Sequence, residues 1–355
     1  MDLRQSIFKP HSAPAQGDSS SSSSSSNNNN TNNTSSSSNN NTSSSKYAPL
    51  PWSDYFDDRR SIRVGDTLFN VYASGLHNTS GPIFVFHHGA GHSGLTFGLV
   101  AKHIHARDPT YSTLVAPDCR GHGATTGDNQ EDLSLQRQVD DLVGLLGAMF
   151  PLSQRSVVLV GHSMGGAVVA HAARSRRLRH VLGLVLIDIV EGSAIDSLAS
   201  IPAFINARPS TFGSVESAIR WHIDSNHIQN AESARLSVPS LVKQRSDDGL
   251  WTWRTDLLPS QKFWHAWYKG LSATFASAPA AKLLILAGTD RLDKELLIAQ
   301  MQGKFQLELL PAAGHTIQED LPARVGDALL FFYKRNQPLD IAEIRRMNPT
   351  PSASN

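Results

Sequence analysis

Ser163 stands in a sequence pattern that is typical of a nucleophilic serine. It is the central residue of the GHSMG motif at 161–165, which follows the apolar run 156–160 and precedes a run of small apolar residues. A nucleophile elbow, the sharp turn from strand to helix, strains its serine, so the positions two before and two after must carry almost no side chain. Gly161 and Gly165 meet that condition. The turn also places Ser163 at a helix N-terminus, where backbone dipoles favour developing negative charge.

His315 is the candidate base for this serine. A serine hydroxyl is a poor nucleophile at neutral pH and needs a neighbour, normally a histidine, that accepts its proton and later returns it. Of the fifteen histidines, His315 follows the apolar run 305–310 and precedes the last predicted helix, where a loop residue can reach over the sheet's carboxyl edge. An acid between the two would complete the chain order serine, acid, histidine.

Two aspartates are candidates for the acid that orients this histidine. Asp188 ends the apolar run 182–187, and Asp290 follows the run 282–287. Both would project from the same edge of a parallel sheet. Sequence position alone slightly favours Asp290, and the other aspartate is then a structural carboxylate.

The loop after the first parallel strand is the candidate oxyanion hole. The stretch FHHGAG at 86–91 can turn backbone N–H groups toward the elbow, and we expect the amides of Ala90 and Met164 to donate to the oxyanion. The segment PDCRGHG at 117–123 follows the next strand, and its polar residues are expected to brace these loops.

Six short, mainly apolar runs indicate the strands that position these residues. Continuous apolar runs are typical of strands buried on both faces of a sheet. The runs are residues 83–87, 112–116, 156–160, 182–187, 282–287 and 305–310. Segments of helical periodicity separate them, which predicts an α/β protein with a mostly parallel sheet and helices on both faces. Two earlier segments, 61–64 and 67–72, predict a hairpin at the sheet edge.

Helical periodicity is clearest across 133–150, where Leu135, Val139 and Leu142 begin one apolar stripe that should face the sheet.

The stretch from about 192 to 279 breaks the alternation of strands and helices, and we interpret it as a helical cap inserted between two strands. It holds five of the six tryptophans, which either form the cap's own core or line a cleft. They are Trp221, Trp251, Trp253, Trp264 and Trp267.

Composition sets the domain limits. Residues 19–45 are only Ser, Asn and Thr, so 1–46 is predicted to be a disordered tail. Residues 47–335 are predicted to form the folded domain with its cap, and 336–355 a flexible C-terminal tail. The 355 residues carry 32 basic and 31 acidic side chains, a net charge of +1, which excludes nucleic-acid binding through bulk positive charge.

The cysteine content and the lack of long apolar segments bear on the compartment and on metal binding. The single cysteine, Cys119, allows no intrachain disulfide and no thiolate metal cluster. No signal peptide or membrane-spanning run is evident. We expect a protein without membrane association that is monomeric when alone. Its expected location is the cytoplasm, with the nucleus as an alternative.

Taken together, the motifs resemble the protein phosphatase methylesterase family. The stretches that carry the resemblance extend well beyond the elbow and cover roughly residues 50–335. They are PWSDYF at 51–56, FHHGAGHSG from 86, GHSMGGA from 161, IDIVEG at 187–192, SAR at 233–235, WRTDL at 253–257, AGTDRLD at 287–293 and QMQGKFQ at 300–306. Ordinary lipases share the elbow but not the cap signatures.

The resemblance implies an α/β-hydrolase fold and an esterase without metal or organic cofactor. It implies that the enzyme removes the methyl ester from the C-terminal leucine of the protein phosphatase 2A catalytic subunit. It places the acid of a Ser163, Asp188, His315 triad after the strand that follows the elbow helix, which reverses the positional preference for Asp290. Cap aromatics, with Arg235 and Arg254, are candidates for the docking surface or, for the two arginines, for bracing the cap.

Two other functions stay open at this stage. The chain could bind and inactivate the phosphatase without catalysis, or it could be a small-molecule esterase. A serine-to-alanine variant that still inhibits the phosphatase would indicate the first, and rapid cleavage of short nitrophenyl esters with no action on a methylated phosphatase would indicate the second.

Overall fold

The central feature of the structure, a computed structural model that describes residues 46–288 and 292–337, is a twisted mixed sheet. Most of the predicted tails, 1–45 and 338–355, and Asp290 lie outside the described residues. The strands are β1 (Asp58–Val64), β2 (Thr67–Ser74), β3 (Ile83–His87), β4 (Thr113–Pro117), β5 (Thr126–Gly127), β6 (Val157–His162), β7 (Val181–Ile187), β8 (Thr211–Phe212), β9 (Val242–Gln244), β10 (Trp251–Trp253), β11 (Ala281–Leu286) and β12 (Gln306–Leu309).

The strand order in the sheet is β1-β2-β4-β3-β6-β7-β11-β12, and β5 pairs with β2. From β4 to β12 the pairing is parallel, whereas β1, β2 and β5 add an antiparallel edge. The predicted fold class and the predicted edge hairpin are therefore confirmed. The apolar runs could be recognised because both faces of each parallel strand are covered.

Twelve α-helices surround the sheet or build the cap within the described residues. They are α1 (Gly98–Arg107), α2 (Leu135–Met149), α3 (Met164–Ser175), α4 (Glu191–Ser197), α5 (Ile201–Ala207), α6 (Val215–Asp224), α7 (Ala231–Ser237), α8 (Gln261–Tyr268), α9 (Leu271–Ser277), α10 (Lys294–Met301), α11 (Ile317–Asp320) and α12 (Pro322–Asn336). Short 3-10 helices lie at Trp52–Asp54, Gly94–Phe97, Val238–Ser240 and Leu258–Ser260. None of the described helices is long and apolar enough to cross a bilayer.

Two apolar cores lie on opposite faces of the sheet. Leu159 of β6 faces the core formed with α2 and α3, whereas Val158 and Val160 face the core formed with α1 and α12. This alternation follows from the two-residue period of a strand. Each fully buried Val or Leu side chain stabilises the fold by about 1.5–3 kcal/mol relative to an exposed one.

The segment between β7 and β11 contains helices α4 to α9 and a small antiparallel sheet of order β8-β10-β9. The small sheet was not predicted, because strands of two or three residues carry too little periodicity to recognise.

The cap tryptophans divide into two groups. Trp221, Trp251 and Trp253 pack on the cap's own apolar cluster. Trp264 and Trp267 belong to the core under the sheet, and their indole N–H groups donate to Ser260 Oγ (2.8 Å) and to the Leu133 carbonyl (2.7 Å).

Candidate active site

The elbow that carries Ser163 joins β6 directly to α3. Ser163 has φ 51° and ψ −119°, a conformation that costs a non-glycine residue free energy. A Cβ on Gly161 would lie 2.3 Å from the Gly165 carbonyl oxygen, and one on Gly165 would lie 2.2 Å from the His87 carbonyl oxygen. Both positions therefore exclude a side chain. The Ser163 amide donates to the Ile187 carbonyl at 3.1 Å, which ties the elbow to the end of β7.

Asp188 and His315 meet at the same edge of the sheet. Asp188 follows β7 with φ 50°, and its carboxylate is fully buried. Its Oδ2 accepts from His315 Nδ1 at 2.8 Å, and its Oδ1 accepts from the Ala287 amide at 3.2 Å. Since Nδ1 carries the proton in this bond, Nε2 is left to accept one. The His315 side chain is 24% exposed, so solvent and substrate can reach it.

His162, which sequence reasoning did not single out, holds the main chain of His315. Its Nε2 donates to the His315 carbonyl at 3.0 Å, and the two rings lie 4.8 Å apart. Burial, with His315 adding to it, lowers the pKa of His162 well below its usual value. A neutral His162 places no positive charge beside an imidazolium at His315. Its position next to Ser163 in the motif was the available signal.

The predicted oxyanion-hole amides lie at the elbow and in the loop after β3. Within the described residues, the amides of Ala90 and Met164 make no hydrogen bond. A Cβ on Gly89 would lie 3.2 Å from Ser163 Cβ, so this loop closely approaches the serine. Both amides are therefore available to a substrate oxygen.

Two neutral histidines brace the loop that carries Ala90. The Gly91 amide donates to His122 Nε2 at 2.9 Å, and the Cys119 amide donates to His88 Nε2 at 2.9 Å. Burial lowers the pKa of His122 to about 4, so it stays an acceptor at neutral pH.

Arg120 binds Asp141 through two hydrogen bonds of 2.8 and 2.9 Å, and its carbonyl oxygen accepts from His122 Nδ1 at 2.8 Å. The polar residues of segment 117–123 therefore brace the site, as the sequence predicted.

Asp320, also missed from sequence, connects the His315 segment to the cap. Its carboxylate accepts from the Gly314 amide at 2.7 Å and from the Gln229 amide at 2.8 Å. Thr316 Oγ1 adds a hydrogen bond to the His227 carbonyl at 3.2 Å. The cap and the His315 loop therefore share one network.

Both candidate arginines donate to backbone carbonyls, which is the bracing alternative. Arg235 Nε donates to the Ala48 carbonyl at 2.7 Å, and Arg254 donates to the carbonyls of Ser240 and Val242, both at 3.1 Å. The described residues include no group of three or more His, Cys, Asp or Glu side chains suited to a metal ion.

Fold and site together define the class of the protein. A family model described as the alpha/beta hydrolase family matches residues 84–328. Among solved structures, E-2-(acetamidomethylene)succinate hydrolase superposes with a TM-score of 0.64 at 21% identity, covering 78% of this chain and 99% of that one. An esterase from M. tuberculosis gives a TM-score of 0.59 at 18% identity, covering 78% and 92%. The protein is an α/β hydrolase.

Sequence relatives narrow this class. Protein phosphatase methylesterase 1 of Bos taurus is 38% identical over 336 residues, which cover 82% of this chain and 87% of the relative. The protein of that name from Schizosaccharomyces pombe is 41% identical (81% and 86% covered), and that from Gibberella zeae is 44% identical (81% and 74% covered). The chain belongs to the protein phosphatase methylesterase family, as its motifs predicted, and is a serine hydrolase of the methylesterase type.

Proposed function

We propose that this enzyme removes the methyl ester from the C-terminal leucine of the protein phosphatase 2A catalytic subunit, using Ser163, His315 and Asp188 as a catalytic triad. The observation that carries the proposal is the 2.8 Å hydrogen bond from His315 Nδ1 to the buried Asp188 carboxylate, at the sheet edge that also holds Ser163. The names of the relatives support the choice of substrate.

In the acylation step, His315 Nε2 accepts the Ser163 proton while Oγ attacks the ester carbonyl carbon. The negative charge that forms on the carbonyl oxygen is stabilised by the amides of Ala90 and Met164. Collapse of this intermediate breaks the bond to the methoxy oxygen, which takes the proton from His315 and leaves as methanol.

In the deacylation step, a water molecule gives a proton to His315 and attacks the acyl carbon. The bond to Ser163 Oγ then breaks and the oxygen regains its proton from His315. The leucine carboxylic acid is released and loses its remaining proton to the solvent, which leaves the carboxylate. Asp188 keeps the histidine in the required tautomer and stabilises the imidazolium that forms in both steps.

Selectivity for a methyl ester requires more than the pocket for the leaving group. A group the size of one methylene supplies only about 1–3 kcal/mol of discrimination. We therefore propose that recognition comes from docking of the phosphatase subunit. The cap covers the loop that carries Ala90, since Leu257 lies against Gly91 and Ser240 Oγ binds Ser93 Oγ at 2.6 Å.

The test is mass spectrometry of the C-terminal peptide of a methylated phosphatase catalytic subunit after incubation with the enzyme. We expect the mass to fall by one CH2 group with the wild-type enzyme and not with Ser163→Ala. Ser175→Ala, at the other end of α3, is the matched control and should act as the wild type does.

Three outcomes would count against the proposal. Turnover by Ser163→Ala would remove the triad assignment. Cleavage of nitrophenyl esters without demethylation would indicate a small-molecule esterase. Stoichiometric inhibition of the phosphatase by the wild-type protein, with no demethylation, would indicate a binding protein.

A further inference from the structure

Arg208 is a partly buried arginine of the cap that forms no ion pair with any described residue. It follows helix α5, and its Nε makes one long hydrogen bond, of 3.4 Å, to the Ile205 carbonyl. Its two Nη groups make no hydrogen bond within the same part of the chain. Burial lowers the pKa of Arg208 to about 10, so the guanidinium is still charged at neutral pH.

Arg155 shows how this protein satisfies another partly buried arginine. Its three nitrogens donate to four oxygens at distances of 2.7 to 3.0 Å. The acceptors are the carbonyls of Asn78, Gly81 and Pro82 and the hydroxyl of Thr113. A polar group that is withdrawn from water without such partners costs free energy. The unpaired Nη groups of Arg208 therefore point to a ligand that the described chain does not supply.

The Trp253 ring fixes the position of this guanidinium. Arg208 Cζ lies over the ring, 4.2 Å from its centroid. Trp253 Nε1 donates to the Pro209 carbonyl at 2.8 Å, and the rings of Phe212 and Trp221 pack edge-on at 5.5 and 5.8 Å. The planar fork of a guanidinium matches the two oxygens of a carboxylate. Arg208 is therefore held ready for a carboxylate.

The same aromatic cluster reaches the loop that carries His315. The His227 ring lies 4.6 Å from the Trp221 ring and 5.3 Å from the Phe204 ring. The His227 carbonyl accepts the hydrogen bond from Thr316 Oγ1, and Thr316 follows His315 directly. A substrate bound at the candidate active site therefore has this cluster beside it.

We refer to five residues of the cluster, all partly exposed, as the Arg208 site. They are Phe204, Arg208, Trp221, His227 and Trp253. Burial, with the Arg208 charge adding to it, lowers the pKa of His227 to about 4. His227 is therefore neutral at neutral pH, and Arg208 carries the only positive charge among the five residues.

The charges around Arg208 favour a ligand with a single negative charge. The Asp256 carboxylate is close enough to raise the pKa of Arg208, although burial outweighs this effect. Phosphate groups are commonly bound by clusters of arginines, whereas one guanidinium matches one carboxylate. In the proposed substrate the C-terminal leucine is an uncharged ester, and every other residue precedes it. The carboxylate must then come from an acidic side chain before the leucine.

We propose that Arg208 is a specificity-determining residue that binds an acidic side chain of the substrate segment preceding the methylated leucine. This inference rests on the proposed function, which fixes the direction in which the substrate leaves the active site. An extended residue spans about 3.3–3.6 Å, so the acidic residue is expected among the last ten of the substrate. The contact is the same in the ground state and the transition state, and it therefore lowers KM without raising kcat.

The first comparison measures the wild type, Arg208→Met and Arg220→Met on the methylated phosphatase catalytic subunit. Methionine keeps an unbranched side chain over Trp253 and removes the charge. We expect Arg208→Met to raise KM about ten- to a hundred-fold with little change in kcat. Its melting temperature should equal or exceed that of the wild type, because a partly buried unpaired charge is gone.

Arg220→Met is the matched control for this comparison. Arg220 is an exposed arginine of the cap helix α6, and it pairs with Asp224 at 3.1 Å. This variant should keep the wild-type KM and kcat.

The second comparison changes the substrate. Each acidic residue among the last ten of the phosphatase subunit is replaced by its amide, one at a time. One replacement should raise the KM of the wild type by the factor seen in Arg208→Met and have no further effect on Arg208→Met. If every replacement acted equally on both enzymes, the two groups would be independent and the proposal would be overturned.

Three results in the enzyme variants would also overturn the proposal. The first is an unchanged KM in Arg208→Met. The second is a lower melting temperature together with a lower kcat, which would indicate a packing role. The third is an unchanged KM with weaker inhibition by the demethylated subunit, which would mean that Arg208 binds the carboxylate of the product.

Absence of demethylation by the wild type would instead contradict the proposed function itself. If Arg208→Met does not fold, Arg208→Lys replaces it, since lysine keeps the charge but not the planar fork. Its KM should rise, and the effect of the critical substrate replacement should shrink. A KM equal to that of the wild type would refute the contact between the guanidinium and a carboxylate.

Discussion

Replacing Glu319 by glutamine should make the folded protein progressively more stable than the wild type as the pH rises. Glu319 lies on α11, four residues after His315, and is 1% exposed. The hydroxyls of Ser237 and Thr96 lie beside its carboxyl group, but neither carboxyl oxygen has a hydrogen bond of normal geometry within the described residues. Burial, with Asp320 adding to it, raises the pKa of Glu319 to about 8.

The size of the effect follows from the difference between the folded and unfolded pKa values. The unfolded chain ionises Glu319 near its ordinary pKa of 4.5, whereas the folded chain holds the proton up to about pH 8. Ionisation of Glu319 therefore takes nothing from the free energy of unfolding of the wild-type protein below pH 4.5. Between the two pKa values it lowers that free energy by about 1.4 kcal/mol per pH unit. At pH 7, 2.5 units above 4.5, the variant should be more stable by about 3 kcal/mol, and above pH 8 by about 5 kcal/mol.

Urea unfolding at a series of pH values from 4 to 9, followed by tryptophan fluorescence, measures this difference. Glu295→Gln, at an exposed position on α10, is the matched control and should follow the wild-type curve. The free energies of unfolding of Glu319→Gln and the wild type should be similar near pH 4 and separate above it. Parallel curves across the whole range would refute the reasoning, because they would mean that Glu319 ionises in the folded protein as it does in the unfolded chain.

Three further substitutions test the site. Asp188→Asn should lower kcat on the methylated phosphatase by about a thousand-fold or more, because the carboxylate that fixes the His315 tautomer and stabilises its imidazolium is lost. Asp290→Asn should lower kcat far less. Equal losses would contradict the choice of Asp188 as the acid. Gly165→Ala places a Cβ 2.2 Å from the His87 carbonyl oxygen, so the elbow must shift. We expect loss of activity together with a lower melting temperature, and a variant with wild-type kinetics would show that the elbow tolerates a side chain there.

The central sheet could be predicted because its parallel strands are covered on both faces. The run 83–87 coincides with β3, and the others fall within one or two residues of the observed strands. The elbow could also be predicted from the sequence. Close approach of the backbone requires glycine at positions 161 and 165, and both glycines can be recognised in the motif.

The acid could not be chosen from position, because Asp188 and Asp290 both follow strands that end at the same sheet edge. The family resemblance favoured Asp188, and the structure brings this residue into contact with His315. The comparison with Asp290 depends on the substitutions above, since that residue lies outside the described ranges.

The cap was predicted only as a segment. Its short helices and the sheet of β8, β9 and β10 lack the length at which periodicity becomes informative. His162 and Asp320 could not be predicted either, because their roles depend on hydrogen bonds to main-chain atoms of distant segments.

The central claim, that Ser163 is a nucleophile activated by His315, is tested most directly by covalent labelling with a fluorophosphonate, followed by peptide mass spectrometry. We predict a single labelled residue, Ser163, in the wild type and labelling at least about a hundred-fold slower in His315→Ala. Label on another residue, or an unchanged labelling rate in His315→Ala, would contradict the account.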